Sequence, residues 1–250
     1  MMIASGCVTH EYNTATGEED IMLVSTEKEI NMGRRIAEGL EDNPEITLDP
    51  DPIMTERVRK LGDRIARVSD RKEVNYNFSV IDEEDVNAFA LPGGYIFVFK
   101  GLVEKVETDD ELASVLAHEV AHIVARHSIK RLQGGFGYNI LQILVVAAGG
   151  SGVRDVGSAN AALGQLVMAY SREDEALADR MAVKYLEKAG FDPMAMVSFL
   201  EKMQEVHKES PIRPYSYYRS HPNLADRIRM VKQEIGGEIN FTDYMNKPVE

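Results

Sequence analysis

His118 and His122 lie four residues apart, with Glu119 directly after the first of them, in the order His118-Glu119-Val120-Ala121-His122. On an α-helix, residues so spaced stand about 40° apart around the axis and about 6 Å apart along it. Two imidazoles can then grip one metal ion from a single face. Glu119 falls to one side, able to reach a water on that metal without being a ligand. A zinc ion held with one open position makes a nucleophile of water at neutral pH, and a neighbouring carboxylate takes the proton. That is chemistry suited to hydrolysing an amide bond.

The competing reading is a surface helix with two solvated histidines, and the surroundings argue against it. Thr108-Asp109-Asp110-Glu111 has the form of a capping box with acidic residues at the positive end of the helix dipole. From there Leu112, Val115, Leu116, Ala117, Val120, Ile123 and Val124 recur at helical spacing. Arg126, His127, Lys130 and Arg131 suit the negative end. A core helix carrying two histidines and a glutamate needs polar partners, and a metal with its water supplies them.

A catalytic zinc wants three protein ligands and one free place. His127 is a poor third, because in a continuous helix it points roughly 140° away from His122; it is expected to be a charge at the helix end. Glu175 and Asp179, one turn apart in Ser171–Asp179, are better placed. The apolar positions Leu166, Val167, Tyr170, Leu177, Met181, Val183, Tyr185 and Leu186 imply a core-facing helix around them. Glu175 could complete the metal site, and Asp179 could take the free ring N–H of a ligating histidine. A solvated acidic face is the alternative, and it is the preferred reading for Glu173 and Asp174.

H-E-x-x-H followed some fifty residues later by S-R-x-x-E-x-x-A-D resembles the gluzincin family 48 of metallopeptidases. Asn87-Ala88-Phe89-Ala90-Leu91-Pro92-Gly93-Gly94-Tyr95-Ile96-Phe97-Val98 is similar to that family's segment before the metal helix, and Ser220-His221-Pro222 with Arg227 and Ile228 is similar to its C-terminal motif. The resemblance runs from about Glu27 to Ile235. It implies a zincin-like metalloprotease domain in which His118, His122 and Glu175 bind one Zn2+ per chain. It further implies that Glu119 is the general base, that Asp179 orients a ligand, and that the substrate is an unfolded or misassembled polypeptide.

Asn87–Phe99 reads as a strand, a Pro-Gly-Gly turn and a second strand. An extended peptide adding to such an edge would bring its scissile carbonyl to the metal, with the backbone near Asn87 and Ala88 as the pairing site. A plain core hairpin is the other reading. His221 precedes Pro222, which fits the first position of a final helix to about Ile235. There His221 could donate to the oxyanion of the tetrahedral intermediate. It could also be purely structural, or, as the resemblance allows, occupy the open zinc position and silence the site.

The chain of 250 residues suits a single catalytic domain over 25–250. A net charge of −13 argues against nucleic-acid partners, which need clustered Lys and Arg. No transmembrane span is expected, since the apolar run Ile140–Ala148 is about half of the ~20 residues required. The lone cysteine, Cys7, follows Ala4-Ser5-Gly6 as in the end of a bacterial lipoprotein signal. Residues 1–24 are therefore expected to be a flexible tether, lipid-anchored at Cys7 in a periplasmic parent protein; an accidental small-residue run before a free thiol competes with this. Oligomeric state has no sequence signal.

Thr26 with Glu29 suggests a capping box for a helix to about Glu41, and Met54, Val58, Leu61, Ile65 and Val68 mark an amphipathic helix. Tyr76, Phe78 and Val80 alternate as in a strand. Tyr138–Ala148 reads as a short helix and Gly149–Gly157 as a mobile loop. Gly190 closes the Glu175 helix, and Asp192-Pro193 opens another to about Lys208. The expected architecture is α+β, helix-rich, with a small, mainly antiparallel sheet of three or four strands beside the metal-binding helix.

Overall fold

The computed structural model describes residues 9–13, 18–22, 24–44, 46–133, 170–209 and 216–236, the first two segments by their backbone alone. Cys7, the stretch 138–157, Leu166 and Val167 lie outside the described residues. Within the expected tether, Thr9–Asn13 (β1) and Glu18–Met22 (β2) pair as an antiparallel ladder.

The helix-rich α+β expectation holds. A three-stranded sheet of Asn77–Ile81 (β3), Ala88–Leu91 (β4) and Tyr95–Phe99 (β5) has the order β3-β5-β4. β4 runs antiparallel to β5, as the Pro-Gly-Gly turn requires, while β3 runs parallel to it. Two of the three described ladders are thus antiparallel. The turn Pro92–Gly94 is a single 3-10 turn with Gly93 at φ 75°, a left-handed value that glycine adopts without strain.

Against the sheet pack Pro52–Val68 (α2) and, after the short Lys100–Lys105 (α3), the central helix Asp109–Val124 (α4). α2 starts where Asp51 Oδ1 accepts from the Ile53 N–H at 2.8 Å with Pro52 at its first turn. α4 is buried from Glu111 to Val124, so nearly every face meets protein. His127–Gln133 (α5) follows at once. Arg172–Ala189 (α6) crosses α4, Met194–Glu209 (α7) returns beside it, and Tyr217–Ser220 (α8) leads into Leu224–Glu234 (α9). Gly190 (φ 74°) ends α6, and Asp192 Oδ1 accepts from the Met194 N–H to start α7, both as expected.

Two expected helix starts are displaced, and a third is in place but lacks half of its capping box. Thr108 caps α4 by accepting from the Glu111 N–H at 3.1 Å, but the Glu111 carboxylate accepts from the Glu107 N–H and from Lys202 Nζ instead of closing the box on Thr108. The final helix begins at Leu224, after Asn223 at φ 62°, so Pro222 lies ahead of it and His221 caps the end of α8. Thr26–Glu41 (α1) is capped by Ser25, and Glu29 takes no part in a capping box.

Glu29 is instead buried against two guanidiniums. Its Oε1 and Oε2 accept from Arg71 at 2.8 and 2.7 Å, and Oε2 also accepts from Arg126 Nε at 2.8 Å. Arg71 reaches on to the Ile123 carbonyl at the end of α4, and the Gly93 N–H donates to Glu29 Oε1. α1 lies so close to the turn that a Cβ at Gly33 would overlap the Pro92 carbonyl oxygen. One carboxylate therefore locks α1, the β4–β5 turn and the end of α4 together. Removing it from between two buried cations costs about 3–5 kcal/mol. In urea unfolding, Glu29→Ala is expected to lose that much, while Glu27→Ala on the exposed face stays within about 0.5 kcal/mol of the parent chain.

Candidate metal centre

α4 and α6 bring together the residues that the spacing singled out. His118, Glu119, His122, Glu175 and Asp179 are all buried where the two helices cross, and His221 closes the group from the loop after α8. His118 Nε2 lies 2.9 Å from His122 Nε2 and 3.5 Å from Glu175 Oε2, and His122 Nε2 lies 3.4 Å from Glu175 Oε1. His221 Nδ1 lies 3.1 Å from Glu175 Oε1 and 3.2 Å from His118 Nε2. Ligands about 2.0–2.1 Å from a tetrahedral zinc are separated by about 3.3 Å. The five distances above, 2.9–3.5 Å, bracket that value, and the four donor atoms all lie within 4.8 Å of one another.

Charge and hydrogen bonding fit a dication as well. Glu119, Glu175 and Asp179 surround one guanidinium, Arg227, and with neutral imidazoles the cluster carries two net negative charges. Glu119 Oε2 is buried with no partner among the described residues, and Glu119 Oε1 meets only His221 Nε2, 3.3 Å away and outside hydrogen-bond geometry. Buried polar atoms left in this way are costly unless a ligand takes them up.

Burial and the Arg227 charge push the His118 imidazole down, but Glu175 and Asp179 outweigh them and raise it to about 9, so a metal ion would have to displace a proton from this ring. Burial raises the Glu175 carboxyl, yet Arg227, His221 and His118 outweigh it and keep the group ionised. Burial also dominates at Glu119, whose carboxyl stays above its ordinary range. His122 falls well below the usual imidazole value through burial and the neighbouring His118 charge.

Asp179 lies where a partner for a metal-binding imidazole belongs, with Oδ1 2.9 Å from His118 Nδ1. Arg227 completes that arrangement. Its Nε and Nη2 donate to the two Asp179 oxygens at 2.9 and 2.7 Å, and its Nη1 stands 2.9 Å from Glu175 Oε2. Motif reading gave Arg227 no role. Periodicity was a signal for it, because Leu224, Ile228 and Val231 form the buried face of α9 and Arg227 falls on that same face.

Two further residues depart from expectation. His127 is no solvated helix-end charge: it is buried, and its Nδ1 lies 2.7 Å from His122 Nδ1. Asp174 is half-buried and exchanges capping bonds with Ser171, while its Oδ1 lies 3.3 Å from His127 Nε2. Glu173 is exposed, as expected.

On the substrate side, β4 is an edge strand. The Asn87 carbonyl accepts from the Phe99 N–H at 2.9 Å. Asn87 Oδ1 accepts from the Ala88 N–H at 2.9 Å and from Ser220 Oγ at 3.1 Å, which ties the strand to the loop carrying His221. Asn87 Nδ2 is buried without a partner among the described residues. Tyr170 stacks on the His122 ring at 3.9 Å and Tyr217 on the His221 ring at 4.5 Å, fixing both imidazoles from their faces.

The sequence profile of Peptidase family M48 matches residues 52–235. The chain belongs to that family. It is 31% identical over 186 residues to a putative beta-barrel assembly-enhancing protease of Vibrio cholerae, covering 71% of this chain and 38% of the relative. It is 32% identical over 184 residues to the mitochondrial metalloendopeptidase OMA1 of Schizosaccharomyces pombe, covering 74% of this chain and 53% of that protein. With the metalloprotease LoiP of Escherichia coli it shares 29% over 168 residues, or 65% of this chain and 64% of LoiP. This M48 chain thus spans about two-fifths to two-thirds of the length of these relatives.

Purified protein is expected to hold one zinc per chain by elemental analysis. Asp179→Asn should weaken zinc by about 10–100-fold in chelator competition, because His118 loses the carboxylate that orients it.

Proposed function

We propose that the chain is a zinc-dependent endopeptidase with His118, His122 and Glu175 as ligands and Glu119 as general base. The observation that carries this reading is the convergence of two Nε2 atoms and one carboxylate within 2.9–3.5 Å of one another, with the Glu119 carboxylate beside them and only His221 Nε2 near it, at 3.3 Å. The bound ion would supply Lewis acidity, making water acidic enough to ionise near neutral pH and polarising the scissile carbonyl. Glu119 takes the water proton and hands it to the departing amine as the C–N bond breaks. Arg227 and Asp179 hold Glu175 and His118 still through that cycle. The peptide would lie extended along the outer edge of β4, displacing Asn87 Oδ1 from the Ala88 N–H and meeting the unpartnered Asn87 Nδ2.

Relatives named for β-barrel assembly support unfolded or misassembled polypeptides as the substrate class. No helix among the described residues is long and apolar enough to cross a membrane. Ala4-Ser5-Gly6-Cys7 supports lipid anchoring at Cys7 in the cell envelope, which Cys7-dependent incorporation of labelled palmitate would test. With a casein-like unfolded substrate, cleavage is expected for wild type, none with chelator, and a loss of at least about 10³-fold in Glu119→Gln, which should still bind zinc. Glu119→Gln that cleaves normally would overturn the base assignment.

A specific observation favours a second, latent reading. His221 Nδ1 stands 3.2 Å from His118 Nε2 and 3.1 Å from Glu175 Oε1, and it lies within 4.8 Å of His122 as a fourth donor where the water would sit. In that state His221 closes the centre, and peptide hydrolysis requires the loop after α8 to swing away. His221→Ala is then expected to raise peptide turnover. A fall of about 10²–10³-fold would instead assign His221 as an oxyanion donor.

A further inference from the structure

We propose that His127 and Asp174 form a positioning relay behind His122, one that fixes which nitrogen of His122 faces the metal. The inference rests on the metal reading above and extends it to residues outside the ligand set. His122 Nδ1 and His127 Nδ1 are 2.7 Å apart, and both rings are fully enclosed. A contact that short needs one N–H and one lone pair. Two arrangements satisfy it, with opposite consequences. If His127 were the donor, His122 would accept at Nδ1 and, being neutral, would carry its proton on Nε2. That atom is the one 2.9 Å from His118 Nε2 and 3.4 Å from Glu175 Oε1, and protonated it could not bind a cation.

Asp174 decides between the two. Its Oδ1 lies 3.3 Å from His127 Nε2, and a carboxylate only accepts, so the His127 proton belongs on Nε2. His127 Nδ1 is then a lone pair, His122 Nδ1–H donates to it, and His122 Nε2 is left bare toward the metal. The order is Asp174 carboxylate, His127 Nε2–H and Nδ1, His122 Nδ1–H and Nε2.

The backbone is arranged to permit this. In an unbroken helix His127 would point away from His122, but Arg126 takes φ 58°, ending α4 and turning the chain so that α5 starts back toward it. Arg126 is held in that turn by Glu29. Tyr170 bonds to Ser128 Oγ at 3.2 Å and stacks flat on His122, so the ring cannot rotate out of line. Asp174 is fixed by its capping bonds to Ser171. His118 has a carboxylate directly behind it, whereas His122 has a neutral imidazole with the carboxylate one ring further away, so the two imidazoles differ in electron supply.

Zinc affinity by competition with a chromophoric chelator tests the relay in wild type, His127→Leu, His127→Asn and Asp174→Asn, with thermal unfolding of the zinc-free proteins run beside it. His127→Leu is expected to bind zinc about 10–100-fold more weakly, and His127→Asn, whose Oδ1 can stand in for the Nδ1 lone pair, within about threefold of wild type. Equal losses in Leu and Asn variants, or no loss in either, would overturn the relay. Because a variant can fail to fold, ¹⁵N-histidine spectra of the zinc-loaded wild type give a second readout. His127 should be the Nε2–H tautomer and His122 the Nδ1–H tautomer, and a His127 protonated on Nδ1 would overturn the proposal. Wild type that binds no zinc would overturn the metal reading itself, and the relay with it.

Discussion

Glu175 and Asp179 share one buried face of α6 chiefly because the Arg227 guanidinium lies against both, with the nearby imidazoles adding to its effect. Two carboxylates one helical turn apart in a low-dielectric interior repel each other and hold protons instead of charge. Arg227, brought in from the last helix, keeps both ionised through its positive charge and the N–H groups that it turns to them. The other features of the centre follow from that constraint. α9 must pack on α6, Ile228 and Val231 must anchor it, and the loop before it must carry His221 into the group. An arginine suits the place better than a lysine, since its planar fork reaches Asp179 with two N–H groups while a third faces Glu175.

The site is stiff because nearly every polar atom in it answers to a different element of the chain. α4 supplies two imidazoles and a carboxylate, α6 two carboxylates, α9 the guanidinium, and β4 reaches the His221 loop through Asn87 and Ser220. Tyr170 and Tyr217 fill the remaining space as flat walls. Few of these contacts are local in sequence. Their order therefore depends on the core of α2, α4, α6 and the sheet being formed first.

That division explains what the amino-acid order disclosed and what it withheld. Helical spacing made His118, Glu119, His122, Glu175 and Asp179 legible, because four-residue intervals have one geometric meaning on a helix. Turn chemistry made the Pro92–Gly94 turn and the Gly190 stop legible for the same reason. His127 was misread since the 140° offset assumes an unbroken helix, and the left-handed Arg126 breaks it. Glu29 looked like a cap because its partners, Arg71 and Arg126, are 42 and 97 residues away. Asp174 was taken as solvated for lack of any local cue that His127 would stand opposite. Asn223, a residue that favours both the N-cap and the left-handed conformation, starts the last helix after Pro222, and the proline reading passed over that signal.

The M48 profile starts at residue 52, yet Glu29 belongs to a helix that ends before it. Common descent and mechanical self-sufficiency thus have different borders in this molecule. A polypeptide trimmed to the shared span would retain His118, His122 and Glu175 but leave Arg71 and Arg126 without the carboxylate between them. Natural substitutions at positions 29, 71 and 126 are accordingly expected to travel as a set, with the upstream helix inherited as a keystone of the catalytic half.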